Sequence, residues 1–222
     1  MYKTFIYIAL FFIFAFIGWI VEVINSLIVD KKFVNRGFLI GPVVPIYGFG
    51  GLAMTLFLSR YQDEVITLFC MAVIICGILE YLTSYIMEKI FNTRWWDYSN
   101  KKFNIEGRVC LQNLALFGIG GVLLIRYINP FLIDILEKID PVLLKVVVSI
   151  LFVIFLTDLS LSTKIIYNIK DATLSIKDST EEINAKVKEA LINKSVFTRR
   201  VAHAFPDFKI NKSFFKRVDK KK

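Results

Sequence analysis

The sequence predicts an all-α membrane protein: a polytopic bundle of about five transmembrane helices with a helical tail in the cytoplasm. Of the 222 residues, 56% are hydrophobic and 21 are phenylalanine, a higher hydrophobic content than ordinary soluble domains have. These residues cluster into runs of the roughly 20 residues that a helix needs to cross a bilayer. Basic charge is concentrated at the end of the chain, because residues 167–222 carry 14 Lys or Arg against 7 Asp or Glu. We therefore divide the chain into a transmembrane domain, 1–166, and a basic tail, 167–222.

Five hydrophobic runs form the predicted spans. The first is too long for the core of a cleaved signal sequence and contains Glu22, so we expect it to be retained. Pro42 and Pro45 interrupt the start of the second run, which leaves open a helix that enters at 37–45 or a re-entrant segment. The runs are Phe5–Val29, Phe38–Leu58, Val65–Ile90, Val109–Ile128 and Val142–Ile166.

Basic residues in the connections predict the orientation of these spans. Three Lys or Arg lie at 31–36 after the first span, and five more lie at 89–108 after the third. The connections at 59–64 and 129–141 each contain a single basic residue and a larger number of acidic ones. Because Lys and Arg concentrate on the cytoplasmic side, we expect the N-terminus outside and the C-terminus in the cytoplasm.

The tail has the pattern of an amphipathic helix. Ser179–Glu182 reads as a capping box, and Ile183, Val187 and Leu191 form one hydrophobic stripe. Aromatic residues interleaved with basic ones follow, which suits contact with the inner leaflet. A solvated, partly disordered tail is the alternative.

The first two spans and the next two resemble each other. Each pair has an acidic residue in its first helix, Glu22 or Glu80, and a small-residue stretch in its second, 47–51 or 117–121. Both pairs cross out, in and out again, so a duplication would give a parallel repeat of helices 1–2 and 3–4. Chance similarity among membrane helices remains the alternative. The small-residue stretches themselves are typical of close helix packing.

Three acidic residues lie inside the spans, where ionisable groups are costly and face a bundle interior or water. Glu22, Glu80 and Asp158 each lie about 15–17 residues into a span that runs inward, so we expect them at one depth in the cytoplasmic half. Arg36 and Arg108 open the two returning helices from the same side. These five residues are predicted to form a charge cluster. Two interpretations stay open: the arginines pair with the acids and lock helices together, or the cluster lines a cleft open to the cytoplasm that binds a polar or charged group.

The loop after the third span is predicted to support this cluster. Trp95 and Trp96 fit the aromatic belt of the inner interface. Asp97, Tyr98 and the turn at 104–108 are not explained by a belt, and they indicate a lid over the cleft or a surface for a partner. The predicted supporting residues are Trp19, Asn35, Gly37, Ser84, Trp95, Trp96, Asp97, Tyr98, Asn104, Gly107 and Asn113.

Motifs over residues 5–165 resemble one known family, the ABC-transporter type IV family of bacterial membrane proteins. They are Gly18-Trp-x-x-Glu22, Asn35-Arg-Gly-Phe-Leu-x-Gly-Pro42, Pro45-Ile-Tyr-Gly48, Glu80-Tyr-x-x-Ser-Tyr-x-Met-Glu88, Arg94-Trp-Trp-Asp-Tyr-Ser99 and Asn104-x-x-Gly-Arg108. The resemblance implies a permease component in a bacterial inner membrane. It does not cover the tail, and Leu114 departs from the small residue expected after Asn113.

The sequence also limits the partners and the chemistry. It contains no Gly-x-x-x-x-Gly-Lys-[Ser/Thr], so a permease of this kind needs a separate cytoplasmic ATPase. We expect the lipid bilayer as the other partner, leave a homo-oligomer open, and expect no nucleic acid. One His and three Cys predict neither a metal site nor another cofactor, and no residue is predicted to be catalytic. Two rival functions remain: an enzyme acting on lipid head groups, with a carboxylate as base and arginines holding phosphate, and a non-catalytic scaffold that recruits proteins through its tail.

Overall fold

The computed structural model describes residues 2–29, 31, 33, 35, 37–91, 93–174 and 209–210. Most of these residues are helical. The helices are α1 (Tyr2–Val29), α2 (Pro45–Leu58), α3 (Val65–Phe91), α4 (Leu111–Leu123), α5 (Asn129–Glu137) and α6 (Pro141–Leu174). A 3₁₀ turn, Ser59–Tyr61, follows α2, and a π turn, Leu124–Ile128, joins α4 to α5. Two-residue strands pair as β1 (Thr93–Arg94) with β4 (Lys209–Ile210) and β2 (Asn104–Ile105) with β3 (Val109–Cys110).

The predicted all-α membrane bundle is confirmed. Four helical stretches are long and apolar enough to cross a membrane: Tyr2–Val29, Val65–Phe91, Leu111–Glu137 and Pro141–Tyr167. Their outward surfaces are rich in exposed Ile, Leu, Val and Phe side chains, as lipid-facing helices require. The predicted helix in the tail, around 179–191, lies outside the described residues.

The second predicted span differs from a full transmembrane helix. Its helix has 14 residues and begins at Pro45 rather than Phe38, and residues 37–44 before it are irregular. Pro45 occupies the first turn of α2, where its missing N–H leaves no intrahelical bond unmade. A helix of 14 residues is about 21 Å long, so α2 alone is shorter than a typical hydrocarbon core.

The fourth predicted span is longer than expected. It continues past Ile128 as one 27-residue stretch, Leu111–Glu137, so the connection to α6 shrinks to residues 138–140. The change happens at the π turn, where the Asn129 N–H reaches back to the Leu124 carbonyl. Pro130 follows directly and cannot donate a helical hydrogen bond, and a widened turn carries the helix past it.

Two helical hairpins, α1–α2 and α3–α4, pack through equivalent glycines. A Cβ atom on Gly48 would collide with Phe11, and one on Gly51 would collide with Phe14. In the second hairpin the same relation holds between Gly118 and Phe69 and between Gly121 and Ala72. Each α3 position lies 58 residues after its α1 equivalent, and each α4 position lies 70 after its α2 equivalent. The common offsets favour a duplication over chance similarity.

The bundle has two distinct ends. At one end the Tyr2 hydroxyl donates to the carbonyls of Leu136 and Ile139, which ties the start of α1 to the turn before α6. The other end is here called the loop end. It contains an aromatic cluster of Phe38, Phe91 and Trp95, against which Ile166 also packs. The segments 37–44 and 93–110 lie at this loop end, and the two tail residues of β4 pair with β1 there.

Candidate functional site

Glu80 is the most deeply buried acidic side chain in the described part of the chain. It lies just past the middle of α3 and is 4% exposed. The Tyr98 hydroxyl donates to its Oε1 at 3.2 Å, and the Asn113 side chain lies beside the carboxylate. Its Oε2 has no hydrogen-bond partner among the residues that the structure describes. Burying an acceptor without a donor is costly, so this oxygen marks a place where a partner is missing.

Glu22 has a related environment in the first hairpin. It is half-buried on α1 and accepts a hydrogen bond of 2.8 Å from the Tyr47 hydroxyl at its Oε1. Tyr47 can reach it because Gly18 has no side chain: a Cβ there would overlap the Tyr47 ring. The Gly18-Trp-x-x-Glu22 and Pro45-Ile-Tyr-Gly48 motifs therefore belong to one local structure.

The two Tyr–Glu pairs meet between the hairpins. Glu22 acts electrostatically on Glu80 and on Tyr98, and Glu80 acts on Tyr47 in the same way. We call Glu22, Tyr47, Glu80 and Tyr98 the paired-glutamate centre. Burial first, and then the Glu80 and Glu22 carboxylates, raise the pKa of Tyr98, which comes from the loop after α3. Its hydroxyl therefore keeps its proton and remains a donor near neutral pH.

Arg108 does not pair with the carboxylates of the centre and contacts a separate set of side chains. Its side chain is 8% exposed and pairs with Glu88 Oε2 at 2.8 Å, while another guanidinium nitrogen donates to the Ser84 hydroxyl at 3.2 Å. The guanidinium also lies over the rings of Tyr81 and Tyr85. All of these partners are on α3, so Arg108 fixes the start of β3 and α4 to that helix.

The loop at 93–110 is rigidly built. The Asn104 side chain accepts from the Gly107 N–H at 2.9 Å and donates to the Lys101 carbonyl at 2.8 Å, which closes a tight turn. Gly107 has a φ of +67°, and a Cβ there would collide with Ser99 and Asp97. The Tyr98 N–H also donates to the Gly107 carbonyl, so the turn directly supports the Tyr98 backbone.

Two further contacts attach this loop to its surroundings. The Trp96 Nε1–H donates to the Arg108 carbonyl at 2.9 Å, and Arg94 pairs with Glu88 at 3.3 Å and with Asp97 at 3.6 Å. Trp95 is buried in the aromatic cluster of the loop end. The position of the Tyr98 hydroxyl on Glu80 is therefore set by the fold of the whole loop.

Asp158 binds backbone rather than another charge. Its carboxylate accepts from the Ile40 N–H at 2.9 Å and the Gly41 N–H at 2.7 Å, and from the Ser162 hydroxyl at 2.9 Å. The Asn35 side chain accepts from the Trp19 indole N–H at 2.8 Å and donates to the Ile40 carbonyl. Together these contacts attach the irregular segment 37–44 to α1 and α6.

The structure thus divides the five predicted cluster residues. Glu22 and Glu80 come together, with Tyr98 and Asn113 beside them. Arg108 pairs with Glu88 and Asp158 with segment 37–44, while Arg36 lies outside the described residues. Gly37 is buried at the start of that segment.

Sequence reasoning missed two residues at this site. The sequence interpretation treated Tyr47 as part of a small-residue stretch. The signal that it overlooked was a polar hydroxyl in an otherwise uncharged, apolar motif, because a hydroxyl inside a membrane helix needs a hydrogen-bond partner. Glu88 was not among the predicted cluster residues, but its carboxylate is nearly buried between Arg94 and Arg108. The Glu80-to-Glu88 spacing of two helical turns on one face, with an arginine in each following motif, was the available signal.

The donor set of the centre suits hydrogen-bonding ligands better than a metal ion. The described residues contain no group of three or more His, Cys, Asp or Glu that could hold a metal. Cys76 and Cys110 lie near Glu80 and Tyr98, respectively, and both are free thiols.

Fold and site together define a polytopic α-helical membrane protein with one buried and one half-buried carboxylate between two packed helical hairpins. The family model described as "Putative ABC-transporter type IV" matches residues 9–163, and the chain belongs to this family of transporter-related membrane proteins. The family indicated by the sequence motifs is thereby confirmed, and the matched range contains the whole paired-glutamate centre. No curated protein and no solved structure matches the chain significantly.

Proposed function

We propose that this protein is the membrane-embedded permease component of an ABC transporter, and that its cargo passes through the paired-glutamate centre. The observation that carries the proposal is the meeting of two part-buried Tyr–Glu pairs between two helical hairpins. Placing one acidic residue at the centre of a membrane helix costs roughly 2.5–3.5 kcal/mol on insertion scales. A bundle that serves only a structural role has no need to keep two carboxylates close enough to interact electrostatically.

The centre opens towards the cytoplasm in this proposal. Tyr98 reaches Glu80 from the loop end, and residues 30–44 and 92–110 together carry seven of the 14 Lys and Arg in residues 1–166. Because Lys and Arg concentrate on the cytoplasmic side, this distribution supports a cytoplasmic position for the loop end, segment 37–44 and the tail in a bacterial cell. Segment 37–44 and the loop at 93–110 would flank the entrance.

The alternative function in lipid chemistry needs an arginine free to hold a phosphate. Arg108 is the buried arginine among the described residues, and its guanidinium is occupied by Glu88, Ser84 and Glu106. Because neither carboxylate of the centre stands beside it, the geometry supports transport better than head-group catalysis.

The partner ATPase has a candidate docking point at the loop end. The β2–β3 hairpin presents Phe103 at 79% and Ile105 at 59% exposure, next to the exposed Lys101 and Lys102. Phe103 and Glu106 both have positive φ values, 53° and 51°, so the backbone of the hairpin forms a strained turn. This turn presents the exposed side chains of Phe103 and Ile105. Exposed hydrophobic residues on a rigid turn are well suited to a protein contact.

Purification from gently solubilised membranes tests the proposal. We expect the tagged chain to bring down a P-loop ATPase, and the double variant F103A/I105A to lose most of it. The matched control is F131A/I135A, which removes two exposed hydrophobic side chains at the opposite end. If the folded wild-type chain brings down no ATPase, or if both double variants retain it equally, the proposal is wrong in its partner or its docking surface.

A further inference from the structure

The paired-glutamate centre has an excess of hydrogen-bond acceptors. Tyr47 and Tyr98 each donate their single hydroxyl proton to a carboxylate, so both phenol oxygens still have lone pairs to offer. Besides Tyr98, the Asn113 side chain hydrogen-bonds the Glu80 carboxylate, and Oε2 is buried with no hydrogen bond of normal geometry among the described residues. Ser26, one helical turn after Glu22 on the same face, is fully buried and its hydroxyl also lacks a partner in that part of the chain.

The centre also has an excess of negative charge. Among the described residues, no Lys or Arg forms an ion pair with Glu22 or Glu80, since Arg94 and Arg108 pair with Glu88, Asp97 and Glu106. Two carboxylates in a low-dielectric interior repel each other. A cation between them would reduce this repulsion, and its N–H groups would supply the missing hydrogen-bond donor.

We propose that the paired-glutamate centre is a binding site for a small cation that carries N–H donors, an ammonium ion or a protonated primary amine. Its N–H groups would donate to Glu80 Oε2 and to the free lone pairs of Glu22 and the two tyrosines. The site as such stands on its own geometry. The further statement that this amine is the cargo rests on the proposed transport function.

Other ligand classes fit less well. An anion would meet two carboxylates, and no arginine among the described residues pairs with either of them. A divalent metal would want three or more strong ligands, and no such group exists among the described residues. A quaternary ammonium has the charge but cannot fill the vacant acceptor, because it has no N–H to donate.

Direct binding to the purified full-length protein in lipid nanodiscs tests the site. Radiolabelled methylammonium is the probe, and tetramethylammonium, sodium and acetate are the competitors. We expect saturable binding of one methylammonium per chain that none of the three displaces. Glu80→Gln should weaken it about 10- to 100-fold, because it removes a charged acceptor from a buried hydrogen bond.

Two variants keep the result interpretable. Asp134→Asn is the control, because Asp134 is exposed, pairs with Lys138 and lies on α5 near the opposite end. If Glu80→Gln does not give a monodisperse helical protein, Tyr98→Phe takes its place, since it removes only a hydroxyl and should also weaken binding.

The outcomes separate this inference from the proposed function. Absence of saturable methylammonium binding, equal competition by tetramethylammonium or sodium, or unchanged affinity in the Glu80 and Tyr98 variants would each overturn the amine site. Co-purification of an ATPase is measured independently, so the transport assignment can stand when the amine site fails. Conversely, methylammonium binding without co-purification of an ATPase would support the amine site and contradict the proposed transport function.

Discussion

Glu22 and Glu80 stand 58 positions apart in the chain, and each accepts a hydrogen bond from a tyrosine hydroxyl at the interface of two helical hairpins. The same offset relates the packing residues of α1 to those of α3. The donors break this symmetry. Tyr47 comes from α2, whereas the position 70 residues later is Phe117, and Tyr98 supplies the second hydroxyl from the loop. The longer loop of the second hairpin thus restores a hydrogen bond that its helix cannot make.

The glycines of the second hairpin provide a sharp test of its packing. A Cβ on Gly121 would overlap that of Ala72 and touch Met54, so Gly121→Ala should cost about 1–3 kcal/mol through overpacking. Gly120 is the matched control, because a Cβ there meets nothing within 4 Å. Both substitutions gain the same helix propensity, about 1 kcal/mol, and differ only in the clash. Unfolding in mixed micelles measures the difference, and equal stabilities would contradict the close approach of α3 and α4.

Asp158 should control the order of segment 37–44. In Asp158→Asn an amide nitrogen faces the Ile40 or Gly41 N–H, so one buried donor loses its acceptor at a cost of about 1–3 kcal/mol. We expect faster hydrogen exchange at residues 38–44 while α1 and α6 keep their protection. Ser160→Ala serves as the control, since the exposed Ser160 hydroxyl bonds only to its own helix. Unchanged exchange in Asp158→Asn would show that the segment is held by other contacts.

Arg108 is expected to act as a lock rather than as a ligand of the centre. Arg108→Lys keeps the charge but cannot reach Glu88 and Ser84 at once or stack on Tyr81 and Tyr85. We predict a loss of about 1–3 kcal/mol in stability and lower abundance in the membrane. Methylammonium affinity per folded molecule should stay the same. Arg60→Lys, at an exposed position beside Tyr61, should change neither quantity. A stable Arg108→Lys protein that loses binding would instead place Arg108 in the site.

Much of this architecture could be predicted from the sequence because hydrophobic runs and intramembrane acids are local signals. The existence of the helices follows from the hydrophobic runs, and the closeness of Glu22 and Glu80 follows from their equal depth along the spans. Tyr98 was indicated by a loop motif that the aromatic belt did not explain. The partners of the charges could not be predicted in the same way. Depth fixes how far a residue lies along the membrane normal, but it does not fix the rotation of its helix or the path of a loop.

Asp158 and Arg108 show this limit. Both were expected at the same depth as the glutamates. Asp158 instead faces two backbone N–H groups that exist as free donors only because Pro42 and Pro45 prevent a helix before α2. Arg108 turns towards Glu88 because the Asn104–Gly107 turn directs the chain along α3. Neither contact is visible in the spacing of the sequence.

The buried hydroxyl of Tyr98 predicts how the fold responds to alkali. In the unfolded chain Tyr98 ionises near pH 10, whereas in the fold burial and the two glutamates raise its pKa well above that value. Below pH 10 the hydroxyl is protonated in both states and contributes no pH dependence. Above pH 10 only the unfolded state loses the proton, so stability falls by up to about 1.4 kcal/mol per pH unit.

Tyr98→Phe removes this loss, and its melting temperature should fall less than that of the wild type between pH 10 and 11.5. Tyr127→Phe, at a 61% exposed position, should follow the wild type because that tyrosine lies on the surface. A Tyr98→Phe protein whose melting temperature falls as steeply as that of the wild type would mean that Tyr98 is not held against Glu80 in the folded protein.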